Sequence, residues 1–211
     1  VTDENIKLIP RSRKESEQEK ELFLEIQNCS GKDIFLKKVT LWRGTLEDLR
    51  IGRAPFEVYR SGRHKNDMPG TFTLGKNDAR MQDVLGEMSE SGDKTAADKK
   101  VRKLVSDHLT IIKGTERSLL ITFEGGRNQL FETVLELDDT YELMEISANV
   151  IFNIVLLANE TVRTEEVKLT WTQDVETQVE AFAERKAKRY GSRSGKRPSV
   201  FCTWYYYGLT V

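Results

Sequence analysis

Short β-prone segments follow one another through the first 171 residues, each cut off by turn residues before it can lengthen. Residues 22–26 and 34–41 are two such segments, and Asn28, Ser30, Gly31 and Asp33 between them are hairpin chemistry. Residues 56–59 and 71–74 are two more, set around a polar loop. Further on, residues 108–113 and 119–124 flank the turn at Gly114, and Gly125-Gly126 makes a second turn into residues 130–137. There Phe131, Thr133, Leu135 and Leu137 share one face. Residues 148–158 are the most apolar run and read as a central strand buried on both faces. In residues 165–171, Val167, Leu169 and Trp171 face one way, with Lys168 and Thr170 opposite. Two stretches break the pattern. Residues 10–21 are nearly all polar and read as a solvated arm or loop, and residues 86–103 read as a charged insertion with a short helix at its end. Ten or so short strands with turn signals predict a mainly β chain, an antiparallel β-sandwich over 1–171.

The period then changes. From Thr172, apolar residues fall at Val175, Val179, Phe182, Ala183, Ala187 and Tyr190, mostly in steps of three and four, one face of a helix. Thr172 is a candidate cap, Asp174 and Glu176 suit the positive end, and Lys186, Lys188 and Arg189 suit the negative end. Gly191 stops the helix. A linker over 172–198 then leads to residues 199–207, rich in aromatic and β-branched side chains. A natural terminus usually frays into polar residues, so the expectation is that the 211 residues are a piece of a longer polypeptide.

Composition removes several function classes. The chain is 38% apolar, which a globular fold requires, and its 33 basic and 34 acidic residues leave a net charge of −1. No global field is available to hold nucleic acid or an anionic membrane. Residues 184–197 are locally basic, but they read as a charged helix end and linker. Cys29 and Cys202 are too few for a disulfide scaffold or a four-cysteine zinc site, and His64 and His108 are too few for a histidine-rich one. No metal and no cofactor are expected. No run reaches ~18 uncharged apolar residues and no leader is visible, so the expectation is a cytoplasmic protein off the membrane. Asn28-Cys-Ser30 and Asn159-Glu-Thr161 fit the glycosylation sequon. Ser106, Asp107 and His108 are triad residue types, but neighbours on a strand point to opposite faces and cannot relay a proton.

Three stretches, in order, carry a resemblance. Lys196-Arg-Pro-Ser-Val-Phe-Cys-Thr-Trp-Tyr-Tyr-Tyr-Gly208 follows a helix and a basic-Pro linker. Val105-Ser-Asp-His-Leu-Thr110 precedes Leu119-Leu-Ile-Thr-Phe123, and Tyr59-Arg-Ser-Gly62 precedes Pro69-Gly-Thr-Phe-Thr-Leu-Gly75. Together they resemble the N-terminal sandwich, reaching loop and first barrel strand of glycoside hydrolase family 36, the α-galactosidase-type enzymes. The resemblance covers residues 22–211. It implies that residues 199–211 begin a truncated (β/α)8 barrel, and that Trp204 and Tyr205 line a sugar subsite. In the loop, the family's sugar-contacting Trp falls on Asn66, and His64, Lys65, Asn66 and Asp67 stand where they could bond sugar hydroxyls. The plainer readings are a buried apolar strand for 199–207 and a solvated polar loop for 63–67.

What the resemblance implies for the parent polypeptide is retaining hydrolysis of a terminal α-linked galactose-type sugar. That chemistry needs two carboxyl groups about 5–5.5 Å apart. In the family both follow later barrel strands, so no catalytic residue is expected within these 211 residues. The expected partners are a carbohydrate substrate, the remainder of the same polypeptide and a second copy of the chain. The alternative is a non-catalytic β-sandwich used for carbohydrate binding or assembly.

Overall fold

The computed structural model describes residues 5–62, 69–76, 102–126 and 129–191. They form two antiparallel sheets packed face to face, with a helix on the outer side of the larger one. The larger sheet runs in the order β1 (Ile6–Glu15), β2 (Glu19–Asn28), β12 (Val167–Thr172), β8 (Ser118–Phe123), β7 (Leu109–Lys113), β4 (Glu57–Arg60) and β5 (Gly70–Thr73), with β11 (Thr161–Arg163) also on β2. The smaller sheet runs β3 (Ile34–Gly44), β10 (Leu143–Leu156), β9 (Leu130–Leu137) and β6 (Arg102–Ser106). The mainly β sandwich expected from the sequence is the observed fold. The aromatic segment 199–207 and the barrel start at 199–211 lie outside the described residues.

The core lies between the sheets. Val58, Ile112, Leu119, Ile121, Phe123, Val167, Leu169 and Trp171 come from the larger sheet, and Leu104, Phe131, Leu135, Leu137, Ile146, Ala148 and Val150 from the smaller. The Phe123 and Phe131 rings stack across the gap with centroids 4.5 Å apart. A second cluster, Leu24 and Ile26 against Leu36 and Leu156, closes the far edge. A short helix, α1 (Leu46–Leu49), presents its last carbonyl to the core, where the Trp171 indole donates to the Leu49 oxygen at 2.6 Å.

Several local expectations need correction. The polar stretch 10–21 is a β-hairpin, not an arm: Ser12 pairs with Leu22 and Arg11 with Phe23. An edge strand has little to bury, so it can be charged throughout and carry no apolar stripe. The turn residues 28–33 are not a hairpin, because β2 and β3 belong to different sheets. Asn28 is consumed in that crossover: fully buried, its amide donates to the carbonyls of Lys32, Leu156 and Leu157 at 2.8–3.1 Å. Its sequon is therefore closed to a glycan, whereas Asn159 is exposed in a turn. Gly125-Gly126 likewise carries the chain from one sheet to the other. The end of the charged insertion is strand β6, paired with β9. Strand β10 is not buried on both faces: Val155 is 57% exposed, because β10 outruns β9 and only β3 flanks its end.

The helix α2 (Val175–Tyr190) ends at Gly191, in the left-handed conformation with φ 66°. Asp174, rather than Thr172, caps it, its carboxylate accepting from the Thr177 amide at 3.1 Å. Strands β8 and β12 are buried on both faces, Leu120, Thr122, Lys168 and Thr170 on the outer one, and α2 packs along β8, with Gln173 before it donating to the Glu116 carbonyl at 3.4 Å and Arg185 in its far half holding Glu124. Of the expected apolar face, Phe182 is buried and Val175, Val179 and Tyr190 are half-buried, but Ala183 and Ala187 are exposed. The helix rests on a narrower stripe than its sequence suggests.

Two predictions follow from this packing. Trp171→Phe keeps an aromatic side chain but removes the indole donor and strands the buried Leu49 carbonyl, and should cost about 1–3 kcal/mol in urea denaturation. The Asp174 carboxyl is held below its ordinary value of 3.8, chiefly by its hydrogen bond with Thr177. A lowered carboxyl pKa stabilises the fold above the ordinary value and loses that contribution as pH falls through the folded value. The stability gap between wild type and Asp174→Ala should therefore be widest near neutral pH and close in acid, as read by thermal unfolding across pH.

Candidate functional site

The polar end of the sandwich gathers five connections from distant parts of the sequence. The first two are the residues after β4 and the turn between β6 and β7. Arg60, the last residue of β4, is fully buried and lies opposite Thr110 of β7 and Gly70 of β5. Beyond it, Ser61 is locked to the β6–β7 turn. The Ser61 amide donates to Ser106 Oγ at 3.1 Å, the Asp107 amide donates to the Ser61 carbonyl at 3.0 Å, and Ser61 Oγ donates to the Leu109 carbonyl at 3.2 Å. Ser106 Oγ also donates to the Leu109 carbonyl at 2.9 Å. Two of the stretches behind the sequence resemblance, 45 residues apart, are thus one structural clamp. The clamp also bridges the two sheets, since Ser106 belongs to the smaller and Leu109 to the larger.

The third connection is the crossing from β8 to β9. The Phe123 amide donates to the His108 carbonyl at 3.0 Å, and the His108 ring meets Phe131 edge-on at 5.8 Å. Gly125 leaves room for the Glu165 side chain, which any Cβ there would displace. Gly126 adopts φ +141°, and its amide donates to Glu165 Oε2 at 2.7 Å. The fourth is the joint before β12, where Glu165 and Glu166 leave β11. The Glu165 amide donates to Gln129 Oε1 at 2.8 Å, and the Gln129 side chain donates to the Arg163 carbonyl at 3.0 Å.

The fifth is the last half of α2. Arg185 holds Glu124 with a two-pronged contact, Nε at 3.1 Å and Nη2 at 2.9 Å. Lys186 Nζ donates to the Gly125 carbonyl, and Arg189 reaches Glu166 at 3.5 Å. Burial lowers the Lys186 pKa; the Glu124 carboxylate opposes that shift. Helix α2 is therefore pinned by charge at three successive points, and Gly191 emerges at this same end.

The expected sugar-contacting residues lie outside the described residues: His64, Lys65, Asn66 and Asp67 in the loop, and Trp204 and Tyr205 in the closing segment. What the structure fixes is where both segments start. The loop leaves from Gly62 and returns near Gly70, beside the Ser61–Ser106 clamp. The closing segment follows Gly191, which α2 delivers to the neighbouring Gly125–Glu166 side. Sequence reading missed the residues that build this rim. Glu124, Glu165, Glu166, Arg185 and Lys186 are single charges in a charge-rich chain, and only the fold puts them together. Ser106, Asp107 and His108 form no relay, because the Ser106 hydroxyl donates to a backbone carbonyl.

The rim carboxylates are committed to structure: Glu124 to Arg185, Glu165 to the Gly126 amide, Glu166 to arginines. Among the described residues, no group of three or more His, Cys, Asp or Glu is arranged to hold a metal ion. A shallow depression of about 380 Å³ lies at the opposite end of the smaller sheet. Thr45, Leu46, Glu47, Leu143 and Met144 line it, and they offer neither an aromatic ring nor converging polar groups. No helix among the described residues is long and apolar enough to cross a membrane.

No protein-family model matches the chain, and no curated protein matches it. Among solved structures, it is similar to the galactosidase domain of alpha-galactosidase-sucrose kinase, AgaSK. Sequence identity is 15% and the TM-score 0.44, over 74% of this chain and 20% of that one. The chain thus spans a fifth of the protein it matches, a distant likeness.

If the clamp works as one unit, Ser61→Ala and Ser106→Ala should each cost about 1–2 kcal/mol in denaturation. The double variant should cost clearly less than the two together, because both hydroxyls serve the same Leu109 carbonyl. Full additivity would mean two independent hydrogen bonds.

Proposed function

We propose that this chain is the N-terminal sandwich and linker of a retaining α-galactosidase-like glycoside hydrolase. On this reading it supplies walls of the sugar pocket and leaves the reacting carboxylates to the rest of the polypeptide. The observation that carries the reading is the shared rim. The loop bearing His64, Lys65, Asn66 and Asp67 is rooted beside the Ser61–Ser106 clamp, and the helix leading to Trp204 and Tyr205 is pinned to the adjoining Gly125–Glu166 side. Two segments that must face one sugar ring need such a common origin.

The division of labour follows from the chemistry. The aromatic faces of Trp204 and Tyr205 would stack on the C–H face of the sugar, and the loop amide, carboxylate and amine groups would fix its hydroxyls. A nucleophilic carboxylate and an acid/base carboxyl, about 5–5.5 Å apart, would carry double displacement through a covalent glycosyl-enzyme. The rim carboxylates described above are already ion-paired or hydrogen-bonded. That same commitment favours the second reading, a sandwich used for carbohydrate binding or assembly without catalysis. The two readings part on turnover by the longer protein.

The test is a panel of aryl α-glycosides given to the full-length protein. The α-galactoside, or a close α-linked relative, should be hydrolysed with retention of anomeric configuration. Trp204→Ala should lower kcat/KM by about tenfold to a hundredfold, the equivalent of one lost stacking contact. The 211-residue chain alone should be inactive. Turnover by that chain alone would place the carboxylates inside it and defeat the proposal, as would a full-length protein that binds these sugars without cleaving them.

A further inference from the structure

Beside the rim, three arginines from distant parts of the sequence share one carboxylate. Arg13 Nη1 lies 3.3 Å from Glu166 Oε1, Arg163 Nη2 lies 2.6 Å from the same oxygen, and Arg189 Nη1 lies 3.5 Å from Oε2. The Glu166 side chain is 8% exposed, whereas those of Arg13, Arg163 and Arg189 are 54%, 42% and 43% exposed. The carboxylate is thus the floor, and the guanidinium groups face solvent above it. The Arg13 and Arg163 nitrogens that meet Oε1 lie within about 6 Å of each other, with that single carboxylate oxygen between them.

Other features make this a built arrangement. Arg163 lies over the Phe23 ring with Cζ 3.9 Å from its centroid, and Arg13 lies over the same ring at 5.6 Å. Stacking fixes the plane of a guanidinium and turns its N–H edge outward. Each arginine gives one nitrogen to Glu166, so most of the five N–H donors on each remain for another acceptor. The surrounding acids do not balance the surplus. Glu25 is held by Arg11 at 3.0 Å, Glu124 by Arg185 at 2.9 Å, and Glu165 by the Gly126 amide. Glu21 also pairs with Arg13, at 3.8 Å, so three arginines meet two carboxylates and one positive charge is left over.

We propose that Arg13, Arg163 and Arg189 form a binding site for a tetrahedral oxyanion, a phosphate or sulfate group. Flat forks of donors around one point match that geometry, and the acceptor would complete the charge balance that Glu166 leaves unfinished. The site joins the first hairpin, the β11–β12 joint and the end of α2, so it exists only in the folded chain. It stands apart from the glycosidase reading, since it needs no catalytic core.

The test is calorimetric titration of the full-length protein with sodium phosphate and sodium sulfate, at ionic strength held constant with chloride. One-to-one binding is expected. Arg163→Gln or Arg189→Gln should weaken it at least tenfold, and Arg11→Gln should leave it unchanged. Arg189 makes a single long contact, so its variant should fold even if that of Arg163 does not. Glu166→Gln should tighten binding, because it removes the competing anion. Titrations with galactose 6-phosphate and galactose 6-sulfate distinguish the sources. Tighter binding of an ester, displaced by inorganic phosphate, means that the group arrives on a sugar; equal affinity means that the free ion is the ligand. No binding beyond that of chloride would overturn the site. Binding unaffected by Arg163→Gln and Arg189→Gln, or binding of a polyanion alone, would do the same.

Discussion

Two neighbouring strands, β8 and β12, are covered on both faces, and the rest of the structure is arranged by that requirement. Their inner residues, Leu119, Ile121, Phe123, Val167, Leu169 and Trp171, complete the core between the sheets. Their outer residues, Leu120, Thr122, Lys168 and Thr170, are buried as well, with Lys168 paired to Glu19 at 2.6 Å and α2 packed along β8. The linker helix is therefore part of the sandwich rather than a tether beside it. Because Phe182 is its single buried apolar side chain, its position along the sheet is set by charge, through Arg185, Lys186 and Arg189. A helix held in this way ends at a defined place, and that place is the rim from which the 63–68 loop departs.

Much of this fold was readable in the residues. Strict alternation in Val167, Leu169 and Trp171 and in Phe131, Thr133, Leu135 and Leu137 gave the inward faces, because a half-buried strand imposes a period of two. The helix was legible through its change of period and its Gly191 stop. Pairing was much less so. Asn28–Ser30 and Gly125-Gly126 carry ordinary turn chemistry, and nothing local says whether a turn returns to its own sheet or crosses to another. The first hairpin was hidden for a different reason: strand β1 lies at a sheet edge, where pairing comes from the backbone and no apolar stripe is needed.

The site was legible only in part. The resemblance picked out the 59–62 and 105–110 stretches, and the structure joins them through Ser61 and Ser106. It could not point to Glu165 lying on Gly125 or to three arginines meeting at Glu166, because such contacts depend on tertiary placement and leave no spacing in the sequence. The rim has two characters. One side is a hydrogen-bonded clamp that fixes the base of a loop, and the other is a charged seam that fixes the end of a helix. On the proposed function both would have to be rigid, since a sugar held between a loop and an aromatic platform would gain nothing from either if one of them wandered.

A crystal structure of the full-length protein with bound galactose tests the central claim most directly. The account predicts a sugar ring between the 64–67 loop and the Trp204 face, with two carboxylates from beyond residue 211 at its anomeric carbon. Trp204 paired into one of the two sandwich sheets, or a sugar bound away from the Ser61 and Gly125 rim, would contradict it.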